Sequence, residues 1–119
     1  MAEQENYFRG AIETLAYTII PKEQIKAGQA VGFDGRIAKA GQAVQGVAAH
    51  DTDEFDLERG LKIVAIGQVD LMAGSAIKQG DALTPDDDGL PKSGGNGFGI
   101  ALSNADKGGL VKVLLRGSL

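Results

Sequence analysis

A single histidine, His50, stands beside Asp51 and Asp53, and an imidazole next to a carboxylate is the simplest pair that could act as a general base. In an extended chain, neighbouring side chains point to opposite sides, so adjacency alone does not aim Asp51 at the ring. No nucleophile completes the pair: the chain has no cysteine and no G-x-S-x-G elbow. His50 therefore reads as an exposed turn or rim residue. Two carboxylate clusters, Asp51-Asp53-Glu54-Asp56 and Asp86-Asp87-Asp88, offer the oxygens that hard cations take. The spacing of an EF-hand loop is missing, because no glutamate follows Asp88-Gly89 at the required distance, and both clusters read as solvated turns. The run Gly94-Gly95-Asn96-Gly97-Phe98-Gly99 holds a lone G-x-G without the rest of a dinucleotide or P-loop motif. It reads as a mobile loop between strands. No catalytic, cofactor-binding or metal-ligating residue is assigned, and the expectation is a protein that is not an enzyme and works through its surface.

The elements that carry these residues are suggested first by composition. A chain of 119 residues with 18 glycines, in no collagen-like period, points to short strands and tight turns rather than helices. At this length folding buries roughly 65% of the unfolded surface, enough for one modest core. With four Phe, two Tyr and no Trp, that core must come from Val, Ile, Leu and Ala, and association with a partner is a natural supplement. A net charge of −4 argues against nucleic acid, which selects for a basic face. Met1 to Gly10 lacks the basic and apolar runs of a secretory signal, and no apolar run approaches the ~20 residues that cross a bilayer. The expectation is a soluble chain with no membrane partner.

Two segments overlay: Ile25-Lys26-Ala27-Gly28-Gln29-Ala30-Val31 and Ile77-Lys78-Gln79-Gly80-Asp81-Ala82-Leu83. Each leads to an acidic-Gly turn (Asp34-Gly35, Asp88-Gly89), a small-residue strand (Gly46-Val47-Ala48-Ala49, Gly99-Ile100-Ala101-Leu102) and an apolar strand ending in Gly67 or Gly117. The kept order predicts an internal duplication, residues 25–67 and 77–117, in which two halves share one core. In Val111 to Arg116 alternate residues separate into an apolar and a basic face, as a half-buried strand requires. Leu61 to Ile66 is apolar on both faces except for Lys62, so it is central in the core or part of a subunit contact. Asp34-Gly35 suits a two-residue hairpin turn, and Asp53 to Arg59 suits a loop or one short helical turn. The fold class expected is all-β: a small β-barrel or β-sandwich built from two repeats, with an extended N-terminal arm over residues 1–16 and a single domain over 17–119. Tyr7, Phe8 and Ile12, with Arg9, are apolar and polar anchors in an otherwise acidic arm and are the candidate partner contacts.

The order Ile25 to Val31, Gly46-Val47-Ala48, Ile63 to Val69 and Ile77 to Leu83 resembles the small phage capsid cement, or head decoration, proteins, over roughly residues 15–117. Thr84-Pro85 stands where members of that family often carry an aromatic residue. The resemblance implies a compact β-barrel or β-sandwich that decorates the outer surface of the expanded phage head, after synthesis in the host cytoplasm. It also implies homotrimers at three-fold and quasi-three-fold positions, bridging copies of the major capsid protein, with no catalytic residue and no cofactor. A different class remains open: a small β-barrel or β-clip module that binds a sugar or peptide within a larger assembly. With Tyr7 and Tyr17 as the only tyrosines and no tryptophan, stacking on a sugar is poorly supplied.

Overall fold

The computed structural model describes residues 12–53, 56–95 and 97–116. Among them are eight strands and one helical turn: β1 (Ile12–Ile19), β2 (Ala30–Gly32), β3 (Val44–Ala48), α1 (Asp56–Arg59), β4 (Leu61–Met72), β5 (Ala82–Pro85), β6 (Pro91–Ser93), β7 (Gly99–Ala101) and β8 (Leu110–Arg116). Every pairing between them is antiparallel. The strand order β2-β3-β4-β8-β7-β5-β6 curls into a nearly closed barrel, with β1 added on β4. Of the two architectures expected, the molecule adopts the barrel.

The ring closes by loop rather than by a strand ladder. The carbonyl of Gly89, in the β5–β6 turn, accepts the N–H of Ala30 at 2.8 Å, and the Gln29 side-chain amide donates to Asp88 O at 2.8 Å. That turn forms as its residues dictate. Asp86 Oδ1 accepts the N–H groups of Asp88 and Leu90, the Asx-turn chemistry that makes Asp a turn former.

β8 shows the predicted alternation in full: Val111, Val113 and Leu115 are buried, whereas Leu110, Lys112, Leu114 and Arg116 are exposed. β4 needs more explanation. Leu61 and Ile63 join a small cluster with Ile25, Val31 and Ala48. Val64, Val69 and Leu71 belong to the main core with Leu83, Phe98, Val111, Val113 and Leu115. Val64 and Val69 have opposite parity, so the strand changes its inward face between them. In that interval the β1 pairing passes from Leu15↔Ile66 to Ala16↔Val64 and skips Ala65, whereas the β4–β8 ladder runs unbroken through Gly67; the extra residue at Ala65 is a bulge that turns the strand's other face inward. Within the two-faced run Leu61 to Ile66, Leu61, Ile63 and Val64 are thus buried in two clusters of one chain, whereas Lys62 is exposed and Ile66 half-buried.

Three expectations change. Ile12 to Ala16, assigned to the arm, lie in β1, paired to β4 from Ile12↔Gln68 to Ile19↔Leu61. The Asp34-Gly35 turn closes on Gly32 and Arg36 (Gly32 N to Arg36 O, 2.8 Å), a three-residue loop with Gly35 at φ +84° rather than a two-residue one; the left-handed glycine is what that longer loop requires. The run from Gly94 to Gly99, read as a mobile loop, is tied down at its described residues. It follows β6, Gly94 N donates to Ala82 O, and Phe98 is buried and donates to Leu83 O at 2.8 Å. A Cβ on Gly97 would run into the Leu83 backbone, so the glycine serves a close crossing of two chains.

The two halves correspond beyond strand order, since β2-β3-β4 meets β8-β7-β5 as a palindrome. Gly28 N donates to Ala48 O at 2.9 Å, and Gly80 N to Ala101 O at 2.8 Å. Ala27 N is capped by Asp51 Oδ1, and Gln79 N by Asn104 Oδ1, both at 2.8 Å. Lys26 N donates to Gln29 Oε1 where Lys78 N donates to Asp81 Oδ2. Thr52 N meets Ile25 O where Ala105 N meets Ile77 O.

Candidate partner-binding face

The residues with acid–base or metal potential are committed to local structure. His50 is exposed, and its Nδ1 lies 2.9 Å from the carbonyl of Asp51. Asp51 and Asp86 spend carboxylate oxygens on backbone N–H groups. Among the described residues no three His, Cys, Asp or Glu side chains gather as a metal site would require; Glu54 lies outside them. The larger groove, of about 600 Å³, runs along the barrel seam between Lys26, Ile37, Met72 and Leu90. Part of its polar lining is already used: Gln29 bonds at both ends of its amide, and Thr52 Oγ1 accepts the Ile25 N–H at 2.9 Å. A ligand pocket needs convergent free polar groups, and this groove offers few. A shallower hollow at Ala76 to Lys78 and Asn104 to Asp106 occupies the corresponding place in the second half.

One carboxylate is tuned. Asp81 Oδ2 accepts the Ser93 hydroxyl at 2.6 Å and the Lys78 N–H at 2.9 Å. These bonds, the Ser93 one foremost, hold its carboxyl below the usual range, because hydrogen bonds to the charged form favour it. This ties β5 to β6 at the barrel wall and aims at no pocket.

What stands out instead is the outer face of the β4–β8 pair. Register places Met72 opposite Leu110, Asp70 opposite Lys112, Gln68 opposite Leu114 and Ile66 opposite Arg116. Directly opposed residues share a face. On it Leu110 is 68% exposed, Met72 51% and Leu114 43%. Ile100 of β7 continues the face beyond Leu114, and Leu15 of β1, opposite Ile66, continues it on β4. The inward set of these strands fills the core, so strand alternation forces the other set outward, where it holds more leucine than a solvated face needs.

Behind this face β1 is held by a polar clasp. Tyr17 donates its hydroxyl to Gln45 Oε1 at 2.9 Å, and Gln45 Nε2 donates to Gly32 O at 2.7 Å. Gln45 is buried, so both ends of its amide need partners, and it links β1, β3 and β2.

Of the partner contacts expected from the sequence, Tyr7, Phe8 and Arg9 lie outside the described residues, and Ile12 opens β1 opposite Gln68. Sequence reasoning put Lys112 and Arg116 on the outer face but passed over Leu110 and Leu114, which the same period of two places beside them. Met72 carried no signal until its pairing with Leu110 was known.

The fold and this face define a small antiparallel barrel with an apolar sheet face left open. The chain belongs to the phage cement protein family, which matches it over residues 10–117. Among solved structures it is similar to the N base of head fiber gp8.5 of bacteriophage phi29, with a TM-score of 0.65 and 24% sequence identity. That likeness, covering 88% of this chain and 97% of the other, is one of fold. No curated protein matches the chain.

Proposed function

We propose that this chain is a structural, non-enzymatic capsid decoration protein that binds the outer surface of the expanded phage head and stabilises contacts between major capsid proteins. The observation that carries the reading is the match to the cement family over residues 10–117. The barrel supports it by offering an open apolar face. Cement multiplies weak identical contacts over a symmetric shell, so affinity arises by avidity rather than from one deep site.

Within this reading the copies gather as homotrimers at three-fold and quasi-three-fold positions, after synthesis in the host cytoplasm. Tyr7, Phe8, Arg9 and Ile12 contact a neighbouring capsid subunit, with the barrel from β1 onward as the body that positions them. The matching hydrogen bonds of the two halves support descent from one duplicated unit, residues 25–67 and 77–117. The test is co-sedimentation of the purified chain with undecorated expanded heads and with unexpanded procapsids from the same phage. Saturable binding to expanded heads alone is expected; binding to neither would overturn the reading.

A further inference from the structure

We propose that the outer face of the β4–β8 pair is a two-fold contact between copies of this chain. The face carries its own complement. A second copy laid face to face, related by a two-fold axis running along the strands midway between β4 and β8, places its β4 over the first copy's β8 and the reverse. The cross-strand register then becomes the contact map between copies. Met72 of each copy meets Leu110 of the other, and Asp70 of each meets Lys112 of the other, because those residues stand opposite within one chain. Ile66 meets the aliphatic stem of Arg116, and Gln68 against Leu114 is the one unlike pair of the four. An isologous interface must be self-complementary in this way, residue i touching j while j touches i. Sheets stacked face to face sit about 10 Å apart, which leaves room for two interdigitating layers of the leucine and methionine side chains now in water.

Charge and exposure favour a second copy over an unrelated occupant. Leu110, at 68% exposed, is the most exposed large apolar side chain described, with Met72 at 51% directly across from it. The opposite charges of Asp70 and Lys112 stand side by side among them. A partner of one charge sign would satisfy one of the two and repel the other, whereas a second copy satisfies both. The contact is separate from clustering in threes: a two-fold perpendicular to a three-fold joins two trimers into one closed particle, so the two symmetries are compatible.

The experiment is sedimentation equilibrium of the full chain over a concentration series, alone and as variants. Wild type is expected to form a particle of twice the mass of the unit left by Leu110→Lys, whether that unit is one chain or three. Asp70→Lys and Lys112→Asp each create two like-charge contacts per interface and are expected to weaken the doubling at least about tenfold, roughly 1.4 kcal/mol. The double variant Asp70→Lys with Lys112→Asp restores both pairs and is expected to restore the doubling. All three positions are exposed, and unchanged circular dichroism establishes that the variants fold. Equal masses for wild type and Leu110→Lys throughout, or a double variant no better than either single one, overturns the proposal. Head binding assayed in parallel separates it from the cement reading, since loss of the two-fold contact leaves docking of the single unit intact.

Discussion

Gln45 shows how one polar side chain can be required in an apolar barrel. It is buried, accepts from Tyr17 and donates to Gly32 O, so Gln45→Ala removes both bonds, leaves Gly32 O with the Gly35 N–H alone and takes from β1 its side-chain tie to β3. The expected cost is about 1–3 kcal/mol, read as a lower urea midpoint with an unchanged slope. Tyr17→Phe removes only the outer bond and should cost less. Asp81 makes a pH-dependent contribution. Its folded carboxyl is held below the ordinary value, so the stability it adds is present above the unfolded pKa and is lost as pH falls through the folded one. Ser93→Ala, by removing the largest cause, is expected to raise the Asp81 titration midpoint toward the ordinary carboxylate range, measured by carboxyl NMR. Gln29 holds the corresponding place in the first half with an amide, so that half lacks this acid sensitivity.

At the scale of elements, the strands that announced themselves were those whose period of two coincides with burial. β8 is the clearest, with Val111, Val113 and Leu115 in the core. β4 was half legible: its apolar content was plain, but the change of face at Ala65 was not, since a run apolar on both faces has no period to break. β1 was missed as far as Ala16 because its residues are not buried in the ordinary sense. Leu15 is 46% exposed and Tyr17 38%, and the strand exists through pairing with β4 some fifty residues away, which no local pattern encodes. The open face was missed for a related reason, as Met72 and Leu110 meet only through register. The close crossing at Gly97 belongs to this scale too. Gly97→Ala is expected to abolish the folded state outright, judged by loss of dispersed amide signals, because the obstacle is Leu83 backbone and not a side chain that can turn away. Leu83→Ala, by contrast, should fold with a loss of about 2–5 kcal/mol.

For the whole molecule, the palindromic strand order means that neither half owns a complete core. Ala30, Val47 and Val64 of the first half share one cluster with Leu83, Val111, Val113 and Leu115 of the second. Residues 1–73 and 74–119 produced separately are expected to be unfolded by circular dichroism, and a folded fragment would argue that the halves are independent. The same wall is fastened very unevenly around its circumference. The β4–β8 junction has seven register pairs, from Ile66↔Arg116 to Met72↔Leu110, while the seam is held by scattered bonds such as Ala30–Gly89, Gln29–Asp88 and Gly74–Pro91. Under tension the long ladder must shear many bonds together, whereas the seam can peel one bond at a time. A pull across the barrel would therefore open it at Gly89 first, like a clasp, and leave the central hinge of β4 and β8 whole, ready to snap shut when the load is removed.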